Sequence, residues 1–184
     1  SAVVLDDGVY MVGFHGWLCS NDCPYYYLYL PVGSTQWESK PLSEDFSLAI
    51  GPGACSVATS PWTFLLIGGA ELGQKVMEYD SRNSSWSLWA TLAEERFGHA
   101  CTMLSREIII VGGGDPLESL AYTTTSILNV NTREERQAGD MLTARALFGL
   151  VMLDNKMFAI GGSDGWDSNT ANIVLFTEVW DEES

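Results

Sequence analysis

Few residues in this 184-residue chain could do chemistry, and they are scattered. There are two histidines, His15 and His99, and neither has a Ser, Cys or Asp neighbour in a triad-like context. A serine or cysteine nucleophile would therefore lack its base. Gly112-Gly-Gly-Asp115 is glycine-rich, but no lysine and no helical pattern follow, so it is not a phosphate-cradling loop. Asp164-Gly-Trp-Asp-Ser-Asn169 has the composition of a cation loop without the spacing or the terminal Glu of an EF-hand. Four cysteines stand at 19, 23, 55 and 101. Cys19 and Cys23 share a short polar loop, with no second Cys or His pair to complete a zinc site. A Cys19–Cys23 disulfide is the preferred reading, two free thiols the alternative. Cys55 and Cys101 fall in apolar strand patterns and read as small buried thiols. No cofactor or metal is expected, and enzymatic activity is the third-ranked reading.

What the chain does offer is carboxylates beside aromatics. Trp17, Asp115, Glu118, Tyr122, Asp164, Trp166, Asp167 and Asn169 lie in segments that read as loops, a plausible recognition surface if a rigid scaffold presents them together. The plainer reading is solvated loops with Trp side chains folded onto strand edges. A formal charge of −15 with nine basic residues excludes a phosphate-backbone binder and favours a basic partner or a divalent cation. Apolar runs are strand-sized, so no membrane span is expected. Asn83-Ser-Ser85 is a glycosylation sequon in an expected turn. With the cysteines it tilts the reading toward an extracellular, secreted glycoprotein, a cytoplasmic protein being the alternative. A chain opening at Ser1 reads as a processed mature protein or a piece of a longer one.

The elements that must position those loops are set by a repeat. Phe64-Leu-Leu-Ile-Gly-Gly69 returns as Ile108-Ile-Ile-Val-Gly-Gly113 and as Met157-Phe-Ala-Ile-Gly-Gly162, with a fainter copy at Val9-Tyr-Met-Val-Gly-Phe14. The second glycines fall at 69, 113 and 162, a period that means a repeat architecture. Each repeat reads as four strands, a to d. Strand a is expected at 2–5, 53–59, 98–104 and 146–153. Strand b is expected at 9–12, 62–67, 107–111 and 156–160, and strand c at 25–30, 74–79, 123–130 and about 171–176. Strand d is expected at 85–90 and from Trp37 onward. In Tyr25-Tyr-Tyr-Leu-Tyr-Leu30, alternation puts Tyr25, Tyr27 and Tyr29 on one face. A strand between two blades is the favoured account, an exposed aromatic patch the other.

The doublets Gly68-Gly69, Gly112-Gly113 and Gly161-Gly162 resemble those of the kelch repeat family. So do Arg96 and Arg145, each 16 residues before a doublet, and the outer motif Tyr79-Asp80, Asn83 and Trp86. Departures are Pro52 in place of Arg, Phe148 in place of His, and Gln137 near an expected Trp. The resemblance implies an all-β fold, a β-propeller of four-stranded antiparallel blades. The repeats fall at about 1–46, 47–92, 93–143 and 144–184 of a single domain or part of one. It also raises a copper site of two His and two Tyr, as in some enzymes of this architecture. His15 and His99 lie two blades apart and do not obviously converge on one, and His99 matches a structural step of the family instead.

Some structural expectations follow. Trp37 and Trp86 should fill the gaps between blades. The second glycine of each doublet should be the intolerant one, making Gly113→Val far more damaging than Gly114→Ala. Trp180 should continue strand c of the last repeat, leaving that blade without an outer strand. The chain should then be no self-sufficient monomer, a second copy or another polypeptide covering its open faces; a closed four-bladed monomer is the alternative. The function read from all this is a non-enzymatic scaffold that binds a protein partner through one loop face. The second reading is a carrier of a small apolar or aromatic ligand on Tyr/Trp-rich surface.

Overall fold

The computed structural model describes residues 1–12, 26–41, 52–70, 72–115, 120–154, 156–165, 173 and 177–181. These are all β, with no helix among them, and build antiparallel blades of the β-propeller class. The chain divides into two compact units, Ser1–Thr91 and Leu92–Ser184.

The first unit holds two four-stranded sheets, each ordered as in sequence. Blade one is β1 (Ala2–Leu5), β2 (Gly8–Val12), β3 (Tyr26–Pro31) and β4 (Glu38–Pro41); blade two is β5 (Cys55–Ala58), β6 (Thr63–Ile67), β7 (Lys75–Asp80) and β8 (Ser85–Thr91). Strict alternation decides which side chains meet. Val3, Leu5, Tyr10, Val12 and Tyr27 of blade one bury against Phe64, Leu66, Met77 and Tyr79 of blade two. The Tyr27 and Tyr79 hydroxyls satisfy each other at 2.8 Å inside this core, and Tyr29 donates to the Asp7 carbonyl. The tyrosine strand thus lies between blades, with Leu28 on its outer face. Tyr25 falls outside the described residues. Trp86 packs edge-on to Phe64 at 5.5 Å and fills the inter-blade core as expected. Trp37 does not: it precedes β4, outside the β3–β4 ladder, and is 45% exposed, whereas Trp86 pairs with Tyr79 inside its ladder.

In the second unit, blade three is β9 (Ala100–Leu104) and β10 (Glu107–Val111), then β13 (Thr125–Asn129) and β14 (Glu135–Gln137). Between β10 and β13, where loop is expected, the chain adds a two-residue ladder, β11 (Gly114–Asp115) with β12 (Leu120–Ala121). Blade four is β15 (Gly149–Leu153), β16 (Lys156–Ile160) and β17 (Thr177–Asp181), three strands among the described residues. Of the expected strand c at 171–176 only Ile173 is among the described residues; Thr177–Asp181 pairs with β16, Trp180 opposite Met157. The register is tied by Glu178, which faces Ala159 and reaches the buried Arg145. Ile109, Val111 and Ile127 of blade three form the core with Met157 of blade four.

Two further expectations are corrected. Cys55 and Cys101 are disulfide-bonded rather than thiols; strand burial made them look inert, and bonding depends on approach in three dimensions. Cys19 and Cys23 lie outside the described residues. Gly114, expected to be tolerant, is as crowded as Gly113. A Cβ there would meet the Leu120 carbonyl oxygen at 2.2 Å, since β12 closes directly over it.

Candidate interaction surface

Buried arginines hold the base of the loops in the second unit. Arg96 donates to the Gly112 carbonyl at 2.8 Å and to the Thr124 carbonyl and hydroxyl at 3.0 Å. Arg145 donates to Gly161 at 3.0 Å and to Glu178 at 2.6 Å. Each therefore clamps the carbonyl of the first glycine in its own doublet. Positive φ at Gly112, Gly113, Gly161 and Gly162, as at Gly68 and Gly69, turns the chain sharply out of strand b. The second glycine then lies under a side chain of strand a. A Cβ on Gly113 would come 2.7 Å from that of His99, and one on Gly162 2.8 Å from that of Phe148. Phe148 thus takes the place where the resemblance expects His. His99 itself is buried, and His15 falls outside the described residues.

Above these clamps the loops of blades three and four join. Asp115 pairs with Leu120 in the small ladder. Leu120 then bridges Gly165, and the Ala121 N–H donates to the Asp164 carbonyl at 3.2 Å. Tyr122 is anchored by its N–H on the Gly113 carbonyl. Ser163 bridges Ile173, and its hydroxyl closes the turn by donating to the Gly165 carbonyl at 2.8 Å. Asp115, Tyr122 and Asp164 are accordingly brought into one half-exposed surface. Trp17, Glu118, Trp166, Asp167 and Asn169 lie outside the described residues. Sequence reasoning missed Leu120 and Ile173, which stand 60% and 75% exposed on this surface. Leu120 is an apolar residue in an expected loop, and Ile173 falls in the expected strand c.

Among the described residues no group of three His, Cys, Asp or Glu side chains could hold a metal ion, and no helix is long and apolar enough to cross a membrane. A cleft of about 430 Å³ opens elsewhere in the second unit, lined by Val111, Met141, Leu142, Leu150, Met157 and Val179 among others. Asn83 stands exposed in the turn before β8, its Oδ1 accepting from the N–H and hydroxyl of Ser85.

No protein-family model matches the chain. Beta-scruin of Limulus polyphemus is 28% identical over 110 residues, 57% of this chain. Alpha-scruin of the same animal is 29% identical over 113 residues, 59% of this chain. The match spans only 12% of either relative's length. This likeness and the blade topology together support repeats of the kelch type.

Proposed function

We propose that this chain is a non-enzymatic recognition module of the kelch type, which binds a basic protein segment through the joined loops of its third and fourth blades. The observation that carries the reading is the fusion of two loops from different blades, through Leu120–Gly165 and Ala121–Asp164, into one surface. Apolar Leu120 and Ile173 there supply desolvated contact, and Asp115 and Asp164 supply the charge that selects a cationic partner. A fluorescent peptide alternating leucine and arginine serves as probe. Binding that weakens at least about tenfold in Leu120→Arg, and weakens further with salt, supports the reading. Equal binding by Leu120→Arg and wild type, folded alike, refutes it.

A second reading keeps a small apolar ligand, now in the cleft beside Met141 and Met157 rather than on tyrosine surface, since Tyr10, Tyr27 and Tyr79 are buried. Its volume falls within the range of ligand pockets. A ligand that co-purifies and is lost in Met157→Trp would favour it.

The exposed Asn83 sequon and the bonded Cys55 and Cys101 speak for the extracellular reading, in which Asn83 carries a glycan. The cytoplasmic alternative predicts an unmodified Asn83. A mobility shift of the native protein after deglycosylation, abolished in Asn83→Gln, decides for the first.

A further inference from the structure

Blades in this chain stack by one rule. In the first unit Tyr10 and Val12, three and one residues before Gly13, pack against Phe64 and Leu66, four and two before Gly68. In the second unit Ile109 and Val111, three and one before Gly112, pack against Met157, four before Gly161. Within each unit the same face of the earlier blade meets the opposite face of the later one.

Two of the faces outside these contacts are apolar and exposed. On blade four it is the face of Phe158 and Ile160. Pairing across the sheet sets Val151, Phe158 and Val179 in one row and Ile160 in the next. Val151, Leu153, Ile160 and Val179 are all exposed. On blade one it is the face of Val9 and Met11, with Val4 beside Val9 and Leu28 beside Met11. Val4, Met11 and Leu28 are exposed too. Monomeric proteins rarely leave such contiguous apolar sheet surface in water. The two faces are moreover the complementary types: blade four offers what an earlier blade offers, and blade one what a later blade offers.

We infer that the occupant is a second copy of this chain, its blade-one face seated on the blade-four face of the first. The contact is head to tail, different surfaces meeting, so it can repeat at the other end. Because the interface is apolar and the chain carries a charge of −15, raising salt strengthens the association by screening repulsion between copies.

The test is mass by light scattering and sedimentation across a concentration series of the full chain. Twice the 20.2 kDa chain mass, or a higher multiple, is expected, falling toward one chain on dilution. Ile160→Glu and Met11→Glu each block one face, so each alone stays at the single-chain mass. Mixed, the two variants regain association through their one intact pair of faces. A species that stays at the single-chain mass at every concentration and salt overturns the inference, showing that the chain covers its own faces. Association that survives in Met11→Glu alone overturns it as well, since like faces would then be meeting. Should either variant lose its β-sheet circular dichroism, Val179→Lys and Val4→Lys probe the same two faces, and the wild-type mass alone remains decisive.

Discussion

The guanidinium of Arg145 donates to the carbonyl of Gly161 at 3.0 Å, as Arg96 does to Gly112 at 2.8 Å. Both side chains are almost wholly buried. The 16-residue interval between Arg and first glycine is thus the length of chain needed to run up strand a, turn, return along strand b and bring a carbonyl back over the arginine.

Removing one partner of this arrangement should cost more than removing two. Arg145→Met leaves the Gly161 carbonyl and the Glu178 carboxylate, 11% exposed, without their cation; the expected loss is about 3–5 kcal/mol. Glu178→Leu added to it should restore part of that stability, a coupling on the order of 1–3 kcal/mol. Urea unfolding of the two single variants and the double variant measures it, and strictly additive losses would show that the pair is not energetically coupled.

Acid should weaken the second unit through Glu178. Burial by itself would raise this carboxyl, but hydrogen bonds from Arg145, the Leu142 N–H and the Thr143 hydroxyl outweigh it and hold the group below its ordinary value of 4.5. The folded state therefore binds the proton less readily than the unfolded chain. The stabilisation is fully present above 4.5 and is lost as pH falls through the lower folded value. Comparing the pH dependence of the thermal midpoint in wild type and Glu178→Gln checks this. The variant should lack part of the acid-side fall, and identical profiles would contradict the assignment.

Three glycines separate backbone conformation from crowding. Gly33 has φ +78° with open space around its Cβ position, so Gly33→Ala should cost only about 1–2 kcal/mol. Gly113→Val adds contact with His99 and the Phe97 carbonyl to a φ of +85° and should cost more. Gly114→Ala has no positive φ but drives its methyl into Leu120, and should also exceed Gly33→Ala by opening the β11–β12 ladder. Thermal midpoints in the order Gly33→Ala highest, the other two well below, are expected; a Gly114→Ala midpoint at the wild-type value would contradict the closure of β12 over Gly114.

Cys55 and Cys101 should resist alkylation of the unfolded, unreduced protein and become labelled only after reduction. Quantitative modification of either residue without reductant would show that it is a thiol.

The sequence by itself determined the β class, the repeat frame and most of the strands, because each of these is a local matter. Alternation marks Val3 and Leu5 for one side of a strand, and the glycine doublets mark where a strand must turn out sharply. Ala2–Leu5, Glu107–Val111 and Lys156–Ile160 fall where those signals put them. What the tertiary structure alone decided is what lies across from each residue. Trp37 and Trp86 hold like positions in their repeats, yet only Trp86 has Phe64 and Tyr79 to pack on. Leu120 is an unremarked loop residue until β12 closes over Gly114 and Gly165 comes beside it. Glu178 of β17 meets Arg145, 33 residues earlier in the chain. Spacing along a chain fixes which residues share a face of a strand. Burial, bonding and the surface left for a partner depend on the neighbouring blade, and no interval within one repeat records it.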